Sequence, residues 1–351
     1  MSLQAPFPYF GGKRRAAETV WARLGDVGGY VEPFAGSAAV LLARPDATGR
    51  RVETINDADG WLINMWRAVR HAPDQVAEHA AGPVSEIDYH ARLAWLQERR
   101  TPDLVAWLEG DPEVFDAKAA GWWLYVAACG IGDPWGSGPW RVVDGHLRDV
   151  RKLPHLGDAG RGVNREMPHL GNAGRGVNRE MPHLGDAGRG VNREMPHLGD
   201  AGQGLITYMR TLSDRLANTR ITCGDWRRVL KPSVTRATAG PGITGIFLDP
   251  PYATSGDLYA TTNTTDDHHT ISGDVRAWCL TAPSDLRIVL CGFYGEHDEL
   301  LERGWTVEAG KAGGGAGYNT DGKAGRRERL WCSPSCLRDG LLELDLEEGA
   351  A

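Results

Sequence analysis

The sequence predicts an α/β fold with a mainly parallel sheet, and three observations lead to that class. Short apolar runs typical of strands alternate with segments of helical spacing, at 219–223, 245–249, 286–291 and 329–332. An early segment combines a strand, a glycine turn and the start of a helix. A later strand closes on an acid and two prolines. Because ligands bind beyond the carboxyl ends of the strands in open α/β sheets, the last two features also predict where a site lies.

The early segment runs from Tyr30 to Val40 and turns at Gly36. A glycine turn before a helix of small residues lets a nucleotide-like ligand approach the backbone closely. A second predicted strand, 51–55, leads to Asp57, which lies 21 positions after Gly36. An acid at about this offset hydrogen-bonds ribose hydroxyls in α/β nucleotide sites. The G-x-G-x-x-G pattern of dinucleotide sites is absent, which weakens an NAD interpretation.

Helical spacing follows the second strand. Asp59 suits the N-cap of a helix whose apolar face is predicted to belong to the core: Trp61, Leu62, Met65, Trp66 and Val69. Residues 85–129 and 205–216 are also predicted to be helical. Three tryptophans in the first of these segments are interpreted as packing residues: Trp107, Trp122 and Trp123.

Two segments rich in glycine interrupt this pattern. The mixture of Gly, Pro and Trp at 130–140 predicts a loop. Residues 310–325 lie between the last two predicted strands. They form either a mobile loop at the rim of the active site or a simple loop of a hairpin, and the sequence leaves both possibilities open.

A tandem repeat with a period of 14 residues occupies 154–204. Its copies begin at Pro154, Pro168, Pro182 and Pro196, and each offers too few apolar residues to bury a core. We interpret the array as a surface insertion of variable copy number. The alternative is a DNA-facing loop, because arginines recur at fixed intervals among the glycines. One histidine per copy, without neighbouring ligands, does not predict a metal site.

The strand that closes at Asp249-Pro250-Pro251-Tyr252 carries the most specific chemistry in the chain. The prolines prevent the strand from continuing, so the carboxylate and the ring project at its carboxyl end. A flat base that bears an amine needs acceptors for its N–H groups and a surface for stacking. Asp249, the Pro250 carbonyl and Tyr252 would provide them. The alternative is that the prolines only end the strand, as in an ordinary transition from a strand to a loop.

Four blocks, in order, resemble the Dam-like class of DNA adenine-N6 methyltransferases of bacteria and phages. They are Pro8-Tyr9-Phe10-Gly11-Gly12-Lys13, Glu32-Pro33-Phe34-Ala35-Gly36-Ser37, Asn56-Asp57-Ala58-Asp59 and Asp249-Pro250-Pro251-Tyr252. The resemblance implies a Rossmann-like sheet that binds S-adenosylmethionine (SAM). It also implies a mainly helical target-recognition insertion, which here carries the repeat array. The segment Ile221-Thr222-Cys223-Gly224-Asp225-Trp226 is similar to the part of the family whose acid lies near the cofactor adenine.

The resemblance assigns roles residue by residue. The catalytic residues are Asp249, Pro250, Pro251 and Tyr252, and the cofactor-binding residues are Tyr9, Phe10, Gly12, Lys13, Glu32, Pro33, Phe34, Ala35, Gly36, Asp57 and Asp225. A basic cluster supplies the predicted DNA contacts, Arg141, Arg148, Arg151 and Lys152, although such clusters are also typical of a solvated surface. No metal is expected.

The resemblance also divides the chain. Residues 1–75 and 205–335 form the predicted catalytic domain, 76–204 the target-recognition insertion, and 336–351 an acidic tail. The formal charge of −7 opposes nucleic-acid binding overall, but part of it lies in that tail. No membrane span or secretion signal is evident. We therefore expect a monomer in the cytoplasm, associated with the nucleoid, with a cognate restriction endonuclease as a candidate partner.

The predicted function is SAM-dependent methylation of adenine N6 in double-stranded DNA, on a base flipped out of the helix. Methylation of cytosine N4 or of RNA adenine uses the same amine chemistry and remains an alternative. A protein-glutamine methyltransferase would usually have Asn in place of Asp249. A DNA-binding protein without catalytic activity, built on the same scaffold, is the alternative from another class.

Overall fold

The computed structural model describes residues 3–7, 13–45, 51–82, 85–129, 140–143, 146–149, 203–239, 242–252, 266–309 and 328–338. Within them the protein has the predicted α/β architecture. None of the helices in these ranges combines the length and apolar character that a membrane crossing needs.

The described part of the chain contains nine strands. They are β1 (Gly29–Glu32), β2 (Val52–Asp57), β3 (Trp140–Val143), β4 (His146–Asp149), β5 (Thr219–Cys223), β6 (Thr244–Leu248), β7 (Leu286–Phe293), β8 (Thr306–Ala309) and β9 (Glu328–Cys332). Seven of them form one sheet in the order β5-β2-β1-β6-β7-β9-β8, and β3 and β4 pair as a separate antiparallel hairpin.

The large sheet is parallel from β5 to β7. Strand β9 runs antiparallel to both β7 and β8. The chain leaves β1 toward β2 and β5 and then returns to place β6 on the other side of β1. The strand order therefore reverses between β1 and β6, which makes this the point where α/β sheets open a ligand crevice.

The described helices surround this sheet. They are α1 (Ala17–Leu24), α2 (Ala39–Leu42), α3 (Gly60–His71), α4 (Pro73–Ala80), α5 (Glu86–Glu98), α6 (Pro102–Gly110), α7 (Ala117–Cys129), α8 (Gln203–Leu216), α9 (Pro232–Ala239) and α10 (Asp266–Thr281). Two 3-10 helices cover Trp226–Leu230 and Asp298–Arg303.

Two apolar cores lie on the two faces of the sheet. In β6, Phe247 belongs to one core, whereas Ile246 and Leu248 belong to the other. This alternation follows from the twofold period of side chains along a strand. Helices α1, α3, α4, α7 and α8 contribute to the first core, and α10 contributes to the second. Because both faces of β6 are buried, it appears in the sequence as a continuous apolar run.

Most predicted elements are confirmed. The strands predicted at 51–55, 219–223, 245–249, 286–291 and 329–332 are present within two residues of the expected ends. The helical segments 85–129 and 205–216 correspond to α5, α6, α7 and α8. Asp59 caps α3 by accepting hydrogen bonds from the Trp61 and Leu62 amides, at 2.9 and 3.3 Å. The sequence did not predict β8 or the β3–β4 hairpin.

The prediction that Trp107 packs in the core is wrong. Its side chain is 44% exposed, whereas Trp123 is buried. Helix α6 buries only Leu108 among its residues, and adjacent helical side chains point about 100° apart, so Trp107 faces away from the core.

Helices α4, α5 and α7 share the first core with α3, so this part of the predicted insertion packs against the catalytic elements. The expected boundary at residue 75 falls inside α4. In the predicted tail, Cys336 is buried and the Leu337 amide donates to the Arg23 carbonyl at 2.9 Å. The repeat copies, the loop at 130–139 and the segment 310–325 lie outside the described residues.

Candidate nucleotide and methyl-transfer site

The turn after β1 lies at the point of strand reversal. Gly36 and Ala38 both have positive φ, 47° and 49°. Such backbone costs little at glycine but more at alanine. The turn is held by hydrogen bonds from the Ala35 amide to the Asn56 carbonyl, 2.9 Å, and from the Trp66 indole to the Gly36 carbonyl, 3.0 Å. Two buried partners thus fix the turn before any ligand arrives.

Asp57 at the end of β2 is bonded to that turn. One carboxylate oxygen accepts from the Gly36 amide and the other from the Asp59 amide, each at 3.0 Å. Burial raises the pKa of the Asp57 carboxyl to about 6, against the lowering effect of these amide hydrogen bonds. The Ala58 amide adds a third hydrogen bond. A carboxylate has about four acceptor positions, so it can still accept from a ligand hydroxyl.

Asn56 joins the same edge to β5. Its side-chain amide donates to the Pro33 carbonyl at 3.1 Å and to the Gly224 carbonyl at 2.9 Å, and its oxygen accepts from Thr222 at 3.0 Å. The exits of β1, β2 and β5 are therefore held together by one buried side chain. Sequence reasoning included Asn56 in a motif but gave it no role.

Asp225 and Trp226 follow β5. Asp225 is half exposed and accepts from the Arg227 amide at 2.7 Å, which starts the first 3-10 helix. Trp226 is buried and its ring lies 5.9 Å from that of Phe34 in the β1 turn. The Trp226 indole nitrogen has no hydrogen-bond partner among the described residues.

Glu32 faces inward from the end of β1. Its carboxylate accepts from the Tyr30 hydroxyl at 2.9 Å and from the Leu41 amide at 3.3 Å. Burial raises the pKa of this carboxyl to about 8. These contacts bind β1 to α2, and the cofactor-binding role of Glu32 remains a prediction.

Four polar side chains meet beyond β6. The Lys13 ammonium lies 2.9 Å from Asp249 Oδ2 and 3.0 Å from Glu328 Oε1. The Tyr252 hydroxyl lies 3.1 Å from Asp249 Oδ1 and 2.6 Å from the same Glu328 oxygen. Two acids are thus bridged by one ammonium and one phenol. We call Lys13, Asp249, Tyr252 and Glu328 the site tetrad.

The tetrad is enclosed by protein. Lys13 is 7% exposed, and the side chains of Asp249 and Glu328 are 19% and 17% exposed. The Tyr252 and Phe293 rings pack edge to face, with centroids 4.6 Å apart. Burial raises the pKa of the Asp249 carboxyl and Glu328 adds to this, whereas the Lys13 charge opposes it. Burial also raises the pKa of Tyr252, so the phenol keeps its proton at neutral pH.

The structure brings most predicted site residues to one edge of the sheet. Those that it places there are Lys13, Glu32, Pro33, Phe34, Ala35, Gly36, Asp57, Asp225, Asp249, Pro250, Pro251 and Tyr252. Lys13, whose contact with the cofactor stays a prediction, forms an ion pair with the predicted catalytic acid Asp249. Tyr9, Phe10, Gly12, Arg151 and Lys152 lie outside the described residues. Arg141 and Arg148 occupy paired positions of the β3–β4 hairpin.

Glu328 was not predicted as a site residue. It is the first residue of β9, which runs antiparallel to β7, so this strand begins at the edge where the parallel strands end. The available signal was a single acid within Arg326-Arg327-Glu328-Arg329, directly before the apolar Leu330 and Trp331. Without the direction of β9, that acid could not be assigned to the site.

The fold and the gathered side chains are consistent with a Rossmann-like methyltransferase. A family model for the D12 class of N6 adenine-specific DNA methyltransferases matches residues 9–87. This segment includes Lys13, the β1 turn and Asp57, and the match confirms the resemblance to Dam-like adenine methyltransferases. A search of curated proteins finds no match.

Proposed function

We propose that this protein is a site-specific DNA methyltransferase that transfers a methyl group from SAM to N6 of a flipped adenine in double-stranded DNA. The observation that carries the proposal is the position of Asp249 to Tyr252. This segment leaves β6 directly beside the glycine turn of β1, at the reversal of strand order. An amine-binding motif and a nucleotide-binding turn therefore share one crevice.

The residues at the β1 and β2 exits suit SAM. Asp57 offers carboxylate lone pairs to a ribose diol, and the turn at Gly36 presents backbone to a ligand. The buried, unpartnered indole nitrogen of Trp226 suits an aromatic acceptor such as the cofactor adenine. When bound, SAM supplies an electrophilic methyl group on a sulfonium.

The chain itself orients the target amine. Asp249 and the Pro250 carbonyl accept the two N6 hydrogens, which turns the nitrogen lone pair toward the methyl carbon. The negative charge of Asp249 stabilises the positive charge that develops on N6. Flipping the base costs a few kcal/mol, and stacking on Tyr252 offsets part of that cost.

We further propose that 76–204 is the target-recognition region and that Arg141, Arg148, Arg151 and Lys152 contact DNA phosphates. The paired register of Arg141 and Arg148 supports this assignment. A two-stranded ribbon such as β3–β4 has a width that the major groove admits. The catalytic domain would then comprise 1–75 and 205–335, and α5, α7 and most of α4 would be the part of the recognition region that packs against it.

The test is Asp249→Ala, assayed separately for SAM binding and for methylation of duplex DNA. Loss of an orienting acceptor should lower the turnover by about 10² or more, while the dissociation constant for SAM changes little. Asp74→Ala is the matched control, because Asp74 is an exposed acid on α4 that pairs with Arg210 on α8. Turnover like the wild type in Asp249→Ala would contradict the assignment.

Mass spectrometry of nucleosides from the methylated DNA decides between the alternatives. We expect N6-methyladenine. N4-methylcytosine, or methylation of RNA but not of DNA, would select the other amine substrates. SAM binding without transfer to any nucleic acid would indicate a DNA-binding relative without catalytic activity.

A further inference from the structure

The Tyr252 hydroxyl has fewer hydrogens than hydrogen-bond neighbours. It carries one hydrogen but lies within hydrogen-bond distance of two carboxylates, and the Cys291 thiol is a further neighbour. The contact of the hydroxyl with Glu328 is 2.6 Å, and its contact with Asp249 is 3.1 Å. Because the shorter contact is typical of a hydrogen bond from a hydroxyl to a carboxylate, the phenol hydrogen belongs on Glu328. The Asp249 oxygen that faces Tyr252 then receives no hydrogen from it.

We propose that Glu328 is a positioning residue of the methyl-transfer site, which takes the Tyr252 hydrogen and shares Lys13, so that Asp249 Oδ1 stays available for the adenine amine. The inference deepens the proposed function and rests on it. Without Glu328, the phenol would donate to Asp249 Oδ1 and compete with the substrate for the same lone pair.

The position of Glu328 in the fold supports this role. It pairs in register with Phe293 across the β7–β9 ladder, and the Phe293 ring packs edge to face with the Tyr252 ring. One strand therefore fixes the ring, and the neighbouring strand fixes the acceptor of its hydroxyl. The backbone of Lys13 is fixed at the start of α1, because the Ala16 and Ala17 amides donate to the Lys13 carbonyl.

Glu328 also changes the charge that Asp249 experiences. The groups that face Asp249 are Lys13, Tyr252, Cys291, Glu32 and Glu328. Of these, Lys13 is the only cation among the described residues, and it lies between two acids. Replacing Glu328 by Gln keeps its shape and removes one like charge, so the pKa of Asp249 should fall. A side chain that only supports packing would not change that pKa.

The experiment compares the wild type with Glu328→Met, which removes the acceptor as well as the charge, with Tyr252→Phe and with the double variant. In Glu328→Met we expect the turnover to fall roughly tenfold to a hundredfold, as for a misplaced reacting group. The acid limb of the pH profile for kcat/KM should move to lower pH, since ionised Asp249 is the form that accepts the amine. The dissociation constant for SAM should change less than the turnover, because no tetrad atom lies in the Asp57 turn.

The coupling between the two substitutions distinguishes a positioning role of Glu328 from a general loss of structure. Tyr252→Phe removes the hydrogen for which Glu328 and Asp249 compete, so the losses in the double variant should be smaller than the product of the single losses. Independent, multiplicative losses with an unshifted acid limb would overturn the proposal. So would wild-type turnover in Glu328→Met.

A second readout does not require catalysis. The carboxyl carbon of Asp249, followed by ¹³C NMR titration, should show a lower pKa in Glu328→Gln than in the wild type. If the wild type methylates no substrate but this shift is present, the proposed function fails while the tetrad geometry stands. An unchanged pKa of Asp249 overturns the role of Glu328 whatever the activity.

Discussion

At the scale of single residues, the acids along the site edge have different tasks. Glu32 is occupied by Tyr30 and Leu41, and the raised pKa of its carboxyl keeps it largely protonated at neutral pH. Asp57 titrates near pH 6 and holds three backbone amides. Asp249 forms an ion pair with Lys13. Of the three, Asp57 is the one whose protonation should change cofactor binding within an accessible pH range.

We predict that Asp57→Ala weakens SAM binding by roughly tenfold to a hundredfold, because hydrogen bonds to a charged acceptor contribute about 1.5–3 kcal/mol. In the wild type, SAM affinity should fall as the pH is lowered through about 6, since protonation of a carboxyl with a raised pKa removes an acceptor. This step should be absent in Asp57→Ala. Isothermal titration between pH 5 and pH 8 measures both effects.

The control is Asp59→Ala, which removes a neighbouring acid and the α3 cap. It should lower the stability by about 1 kcal/mol but retain the pH step. Equal SAM affinity in the wild type and Asp57→Ala would limit Asp57 to supporting the turn.

At the scale of elements, α4 and α7 cross without room for a side chain. A Cβ built at Gly121 would lie 2.4 Å from His79 Cβ and 2.8 Å from both the Ala80 nitrogen and the Val76 oxygen. Two of these three atoms belong to the backbone, so α4 would have to move. The crossing joins the predicted recognition region to the core that α3 and α8 share.

We predict that Gly121→Ala destabilises the protein by about 1–3 kcal/mol, as overpacking in a core does. Gly273→Ala is the matched control, because Gly273 is also helical but a Cβ there meets no atom within 4 Å. That variant should be neutral or stabilised by up to about 1 kcal/mol, through helix propensity. Thermal or urea unfolding of both variants measures the difference, and equal stabilities would show that α4 and α7 separate easily.

The elements also show what the sequence could predict. The central strands were found because burial on both faces makes them continuous apolar runs. Edge strand β8 was missed because three of its four residues are exposed and carry no such run. Trp107 was assigned to packing because its residue type suggested a core position, whereas its exposure depends on which side of α6 meets the protein.

At the scale of the whole molecule, the site was predictable wherever its residues follow a parallel strand. Asp57 and Asp249 project from strand ends that lie on one edge in any such sheet. Glu328 begins a strand, so its place depends on the antiparallel direction of β9. That direction follows from long-range pairing with β7 and has no local signal in the sequence.

The repeat array gives a prediction for the whole chain. Deletion of residues 168–195 removes two copies and rejoins Met167 to Pro196 in the same local sequence. Since loop-closure entropy changes slowly with length, the melting temperature should hardly change. The target base should stay the same, with reduced DNA affinity only if the arginines of the array contact phosphate. Differential scanning fluorimetry and methylation sequencing measure these outcomes.

The wild type with its full array is the reference for both measurements. Loss of cooperative unfolding, or a changed recognition sequence, would place the repeats within the folded recognition region and contradict a tolerated surface insertion.

Strand β9 is the last of the described strands to be synthesised, although it lies inside the sheet, between β7 and β8. Lys13 precedes the first strand of the sheet, while its partner Glu328 starts the last strand. A ribosome must therefore release everything up to β9 before the two charges can meet. A nascent or prematurely terminated chain can form the glycine turn and the β1–β2 pair, but it lacks the acid that closes the tetrad. Such fragments should therefore contain the Asp57 turn but lack a complete tetrad.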